Sequence, residues 1–496
     1  MKKAILILIA TFVVITGVRS QNVDDALRYS QTFYNGTARF ISMGGAFTAL
    51  GADLSTISLN PAGIGMYRSM EVSITPQLYY NNMSSVFNGT KSTDFKYNFG
   101  LSQAGVVTNL ISNNNSTGLI NLNVAYSYVS KNNYYENTTI KGVSDNSSMA
   151  DYWTALANGS VSDNLSGGAA LAYWTWLIDT IPGDPTMYGT IFSNYGENTN
   201  SVYGQTIRRI ITNEGYSGEH AFSIAGNYSN NIFFGATLGL NRIRYIGHYE
   251  HLESDDQDLN PDFKDFSYVD HFEATGTGVS LKLGAILRPV EMLRIGFALH
   301  SPVIYRMHEY FYSGMVSDFD TPDVDGNYSY SENLDPLRYS YTLTTPFRAL
   351  AGVSLQLKKL GILSADYEFV DYRMARFSNA SDDYTYYDEN QGIKNVLKSA
   401  SNIRLGAEVH LNSIYLRAGY GLYGSAFNKD EVNKDLSYNT ISCGLGFRQQ
   451  NFFFDLAFAN MSSKMKYYMY EDPPYLQPAT LTSSRNTFTA TLGFKF

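Results

Sequence analysis

The last ten residues, TFTATLGFKF, alternate strictly. Phe488, Ala490, Leu492, Phe494 and Phe496 share one face, and Thr487, Thr489, Thr491, Gly493 and Lys495 share the other. A side-chain period of two is that of a β-strand. The pattern recurs upstream. In NIRLGAEVHL, Ile403, Leu405, Ala407, Val409 and Leu411 oppose Arg404, Gly406, Glu408 and His410. SIYLRAGYGLYG, RALAGVSLQLK and MLRIGFALH read the same way. One face is apolar throughout; the other mixes glycine, small polar groups and charges. Such strands fit a soluble sandwich, with the apolar face as core, or a membrane barrel, with that face turned to lipid.

The connections separate the two. The alternating runs place strands near 68–81, 95–107, 118–131, 218–229, 231–250, 266–288, 291–312, 337–357, 360–376, 399–411, 414–426, 437–449, 452–466 and 484–496. Short links such as 229–231, 288–291, 358–361, 411–413 and 449–451 alternate with long ones near 82–94, 132–217, 251–265, 313–336, 377–398, 427–436 and 467–483. Tight turns at one end and long loops at the other are the layout of outer-membrane barrels. A sandwich has no reason to sort its loops this way. The chain is therefore expected to be all-β, a transmembrane antiparallel β-barrel of about fourteen strands, whose closure leaves no unpaired edge in lipid.

Composition agrees. There are 40 Tyr and 29 Phe against 3 Trp, and charged residues are 16% of the chain, below the roughly 25% of soluble domains. Mean hydropathy is −0.20. No later apolar run approaches the ~18 residues of a membrane helix. The net charge of −9 argues against nucleic-acid binding. The opening MKKAILILIATFVVITGVRSQ reads as a signal peptide over 1–20, cut before Gln21. Cys443 is the one cysteine, so no internal disulfide is available. Neither a metal nor a cofactor is expected. Loop acids Asp255, Asp256, Asp258, Asp262, Asp382, Asp383 and Asp388 lack EF-hand spacing and read as solvated surface. No G-x-S-x-G elbow occurs, and the chain is not expected to be an enzyme. The largest loop, near 132–217, carries all three tryptophans and an apolar stretch, GGAALAYWTWLI, suited to helices over the barrel mouth.

Residues 21–66 do not alternate. They contain GTARFISMGGAFTALGADLSTISLNPAGIG, broken by Gly44, Gly45 and Gly51, and close on the turn chemistry of Asn60, Pro61, Ala62 and Gly63. A compact segment ahead of a barrel (67–496) has a natural place in the lumen, because a barrel this wide leaks if empty.

Gly36-Thr37-Ala38-Arg39, Met43-Gly44-Gly45-Ala46-Phe47 and Asn60-Pro61-Ala62-Gly63, with LRIGFALHSP, TPFRALAGVSL, LSADYEFVDY and IRLGAEV…LRAGYGLY further on, resemble the FadL-type family of outer-membrane transporters for long-chain fatty acids and hydrophobic compounds. The resemblance implies a monomeric fourteen-strand barrel in a bacterial outer membrane. Its partners would be a hydrophobic small-molecule ligand and the outer-membrane lipids. It implies passive uptake gated by an N-terminal hatch, with Asn60, Pro61, Ala62 and Gly63 as hatch hinge or anchor. Lys282, Arg294, Arg348, Arg404 and Arg417 become head-group contacts in the lumen; the alternative for each is a salt bridge to acids such as Asp366, Glu368 or Glu408. The family's wall opening comes from a kinked third strand. Here that strand, GLINLNVAYSYVSKNN, has no internal glycine or proline to mark a kink, which speaks against the lateral route. A general diffusion pore, and an adhesion or structural barrel working through its large loop, remain as other readings.

Overall fold

The computed structural model describes residues 22–113, 117–192, 203–260, 262–358, 360–381, 384–470 and 476–496. The signal peptide, Asp382 and Asp383 lie outside them. Fourteen antiparallel strands close into a barrel. They are β1 Glu71–Phe87, β2 Thr90–Ser112, β3 Leu119–Asn133 continued by Glu136–Val143, β4 Thr206–Tyr228, β5 Ile232–Ser254, β6 Phe263–Val290 and β7 Leu293–His300 continued by Ile304–Phe319. Then follow β8 Leu337–Thr344 continued by Arg348–Gln356, β9 Gly361–Asp371 continued by Arg376–Ser378, β10 Ser399–Leu411, β11 Ile414–Tyr423, β12 Tyr438–Arg448, β13 Phe452–Tyr467 and β14 Ala479–Lys495. β14 pairs back onto β1, so the sheet has no outer edge strand.

The barrel is inside-out relative to a soluble protein. On β10, Ile403, Leu405, Val409 and Leu411 are exposed, while Arg404 and Glu408 are 0% and 2% exposed. On β14, Phe488, Leu492 and Phe494 are exposed and Thr487, Thr489 and Thr491 are buried. In water this arrangement would be unstable; against hydrocarbon it is the favourable one. The apolar face of every alternating run is thus the membrane face, and the sandwich reading fails on which face is covered.

Several strands extend further than the alternation suggested. The connection expected over 82–94 is a tight turn at Asn88-Gly89, both with positive φ (43° and 80°), as a two-residue hairpin requires. Residues 132–143 and 206–217, expected in the largest loop, continue β3 and β4, so that loop spans 144–205. It folds as helices α4 Met149–Ala157 and α5 Gly167–Trp174 plus a small hairpin. Trp153, Leu171 and Tyr188 of the loop pack with Phe87, Phe263, Phe266 and Tyr470 over the mouth.

The N-terminal segment fills the lumen. It forms α1 Val23–Ser30, α2 Ala38–Ser42, α3 Thr56–Leu59 and a 3₁₀ turn Pro61–Met66. Phe40, Met43, Phe47 and Leu50 pack on Ala298, Leu350, Ile362 and Ala457 of the wall. Leu54, Ile57 and Ile64 pack on Val107, Ala125 and Ala221. Wall glycines on the inward faces make room for this backbone. A Cβ at Gly419 would stand 2.1 Å from Gly44 N, and one at Gly296 would stand 2.1 Å from Thr48 O. This explains why the polar face of the strands is so rich in glycine.

Candidate functional site

Asn60, Pro61, Ala62 and Gly63 sit at the floor of the lumen, all fully buried. Asn60 Nδ2 donates to Thr48 O (2.6 Å) and to Ala285 O on β6 (3.3 Å), and its Oδ1 accepts from Ala62 N (3.1 Å). One side chain therefore caps the 3₁₀ turn, ties it to the preceding loop and fastens both to the wall. Pro61 occupies the first position of the turn, where no N–H is needed. Gly63 O accepts from Ala52 N (3.1 Å), and a Cβ on Gly63 would lie 2.9 Å from Gly51 Cα. The two glycines let these backbones touch.

All five basic residues singled out from the sequence face inward, and each has an acceptor. Lys282 pairs with Glu219, which also accepts from Ser58 of the plug (2.7 Å). Arg348 pairs with Glu368 and also donates to Ser30 O at the end of α1. Arg404 Nη1 meets Glu368 at 2.7 Å. Arg417 bridges Glu408 and Asp455, both at 2.6 Å. Arg294 donates to Leu50 O at 2.6 Å. The acids named as alternatives, Asp366, Glu368 and Glu408, are all in this network. Asp366 accepts from both Thr48 N (2.9 Å) and Thr48 Oγ1 (2.7 Å).

Pattern reading missed two residues. Arg39 of α2 reaches Glu408 through Nε (2.9 Å) and Nη2 (3.2 Å), the ion pair that joins plug and wall. Its place in the quoted Gly36-Thr37-Ala38-Arg39 stretch was the available signal. Lys131 falls at a register shift of β3, where alternation no longer tells inside from outside.

At that shift β3 leaves its ladder with β2. β2 and β3 pair from Gln103↔Val129 to Ser112↔Asn121; among the described residues, no β3 residue pairs with β2 over 90–102. β3 bends inward there, although it carries no internal glycine or proline to mark a kink. Beside the bend, Gly215 of β4 has φ +114°, and a Cβ there would lie 2.0 Å from Arg244 O of β5. Tyr134 N bonds Gly215 O (3.0 Å) at the same point.

Behind this gap runs the plug segment between α1 and α2. Phe33 N donates to Asn132 Oδ1 (3.1 Å), Asn35 Nδ2 to Tyr79 Oη (3.0 Å) and Lys131 O (3.2 Å), and Gly36 N to Ser102 Oγ (3.1 Å). Three lumen cavities adjoin this segment. One of about 190 Å³ is lined by Phe33, Met83, Tyr134, Met461 and Leu481; one of about 60 Å³ by Phe33, Tyr34, Tyr79 and Tyr423; one of about 40 Å³ by Tyr29, Lys131, Lys282, His300 and Arg348. The largest mixes aromatic and methionine side chains with Arg28, Glu136 and Arg485, and the smallest is mainly polar.

No protein-family model matches the chain, and no curated protein matches it. Solved structures do. A FadL homologue of Pseudomonas aeruginosa superposes with a TM-score of 0.55 at 12% identity, covering 94% of this chain and 99% of that one. The toluene transporter TodX of P. putida superposes with a TM-score of 0.52 at 10% identity, covering 93% and 99%. At such identity the likeness is one of fold. With its fourteen strands closed around an N-terminal plug and its third strand bent off the wall, the chain has the FadL-type fold.

Proposed function

We propose that this protein is a passive outer-membrane channel for hydrophobic small molecules, long-chain fatty acids or hydrocarbons, gated by its plug. The observation that carries the reading is the stretch of β2 that has no β3 partner, where plug residue Gly36 bonds Ser102, with lumen cavities lined by plug residue Phe33 and by Asn132 and Asn133 of β3. A hydrophobic solute caught under the loops would pass α1 into the largest of these cavities and leave sideways into the bilayer once residues 31–36 move. Two further facts support it. The plug is fastened to the wall by Asn60 and Arg39, so a water-filled route to the other side is closed. The five basic residues singled out from the sequence already have acceptors, which favours apolar contact as a source of affinity. A general diffusion pore would need an open lumen, and this one is packed.

Uptake of radiolabelled hexadecanoate and of toluene by cells making the protein, together with planar-bilayer conductance, tests the reading. Saturable uptake of at least one compound with little ion conductance is expected. Large, steady conductance without uptake would overturn it in favour of the pore. Mass spectrometry of material co-purifying in mild detergent identifies the ligand.

A further inference from the structure

An apolar groove of about 650 Å³ lies on the lipid side of the wall, across β11 to β14, β1 and β2. Its size falls among small-molecule sites. Small residues, Pro76, Cys443 and Ala490, form its floor, and Leu78, Phe99, Phe458 and Phe488 stand around it. Six adjacent strands at the usual spacing of about 4.8 Å give it a width of roughly 24 Å.

Two observations connect it to the transported molecule. First, Phe99, 75% exposed, belongs to the stretch of β2 that lacks a β3 partner, so one end of the groove is the lip of the gap. Second, its floor holds a break in sheet pairing. A proline inside a sheet is ordinarily confined to an edge or a bulge, and a closed barrel has no edge. At Pro76 the β1–β2 register shifts, and β1–β14 pairing is interrupted at Thr75 and Pro76 although Ile74↔Leu492 and Gln77↔Thr489 hold the same register on either side. Bulges are over-represented beside functional sites.

We propose that this groove is a lipid-side receiving site for the alkyl chain of the transported molecule. The proposal rests on the channel reading above. A chain leaving the gap lies across β2, β1 and β14 before it enters the bilayer. Strands of such barrels tilt by about 35–45°, so a groove crossing them runs nearer the membrane plane than its normal. An upright lipid tail fits that direction poorly; a chain emerging sideways fits it well. Lipid tails are as apolar as the groove, so binding draws on packing alone. It is therefore weak and quickly reversed, as release requires.

Photo-crosslinking in nanodiscs tests this. The probe is an alkyne-tagged hexadecyl diazirine, run in parallel with a phospholipid carrying the diazirine in its acyl chain, and adducts are mapped by peptide mass spectrometry. The expected result is adducts of the hexadecyl probe on Leu78, Phe99, Phe458 or Phe488, competed by unlabelled hexadecane. They should be lost in Ala490→Trp, which fills the floor from the lipid side, and uptake by that variant should slow several-fold while lumen adducts at Phe33 or Met461 persist. Cys443→Trp serves as a second filling variant. Lumen adducts without groove adducts would overturn the receiving site and leave the channel standing. Groove labelling by the phospholipid alone would also overturn it. Adducts in neither place would overturn both.

Discussion

Replacing Asn60 by alanine tests whether one side chain holds the plug. The change removes the donors to Thr48 O and Ala285 O and the acceptor for Ala62 N. Asn60 is fully buried, so water does not substitute. Two of the bonds, at 2.6 and 3.1 Å, have good geometry, and the third, at 3.3 Å, is weaker. Each buried group left unpaired costs about 1–3 kcal/mol. The three together give about 3–5 kcal/mol against the docked plug once the weak bond is discounted and neighbours relax. That is roughly a 10²–10⁴-fold shift in the docking equilibrium. The barrel's own pairing is untouched, so the variant should keep its heat-modifiable mobility in gels. Amide hydrogen exchange should rise across 46–66 and not in β10–β14, and planar bilayers should show conductance bursts. Asn60→Asp should be worse than alanine, because a carboxylate oxygen would face Thr48 O. Unchanged exchange in 46–66 in both variants would refute the reasoning.

Other perturbations follow from the same structure. Glu408→Gln leaves Arg39 and Arg417 without their shared carboxylate; breaking a buried pair costs about 3–5 kcal/mol, read as a lowered unfolding temperature and faster exchange in α2. Gly215→Val places a Cβ against Arg244 O and opposes φ +114°; the β3 bend should relax, and spin labels at 99 and 131 should move closer while uptake falls. Asp25 of α1 is pushed up to about 7, chiefly by burial, with Glu309 and Asp24 adding to the rise and Arg28 opposing it. A raised carboxyl means the docked state holds the extra proton, so docking of α1 weakens as pH climbs from about 4 to 7 and above. A spin label at Val23 should grow more mobile across that window, and Asp25→Asn should abolish the change.

Strands β10, β12 and β13 could be read to within a residue, because each crosses hydrocarbon, where apolar and polar sides must alternate. The upper ends of β1 to β4 could not. Above the membrane the outward side meets water or loops, so Thr90–Asn98 carries polar groups on both faces and alternation fades. The Asn88-Gly89 turn was nevertheless a local signal for a hairpin. The bend of β3 was illegible for another reason: it falls at a register shift between Ser130 and Asn132 against β4, where β3 itself has no glycine or proline. The lumen cations were identified by their face of the strand, but their partners come from elsewhere. Glu219 is 63 residues from Lys282, and Glu408 is 369 residues from Arg39.

By itself, then, the sequence determined the alternating strands, most of the tight turns between them, and the non-alternating segment ahead of the barrel. These rest on local periodicity and turn chemistry, which neighbours in the chain set. Tertiary structure alone decided which face is covered, which acid neutralises which base, and where the wall parts. Closing the sheet around the plug brings distant residues within ångströms, and no local pattern encodes that distance.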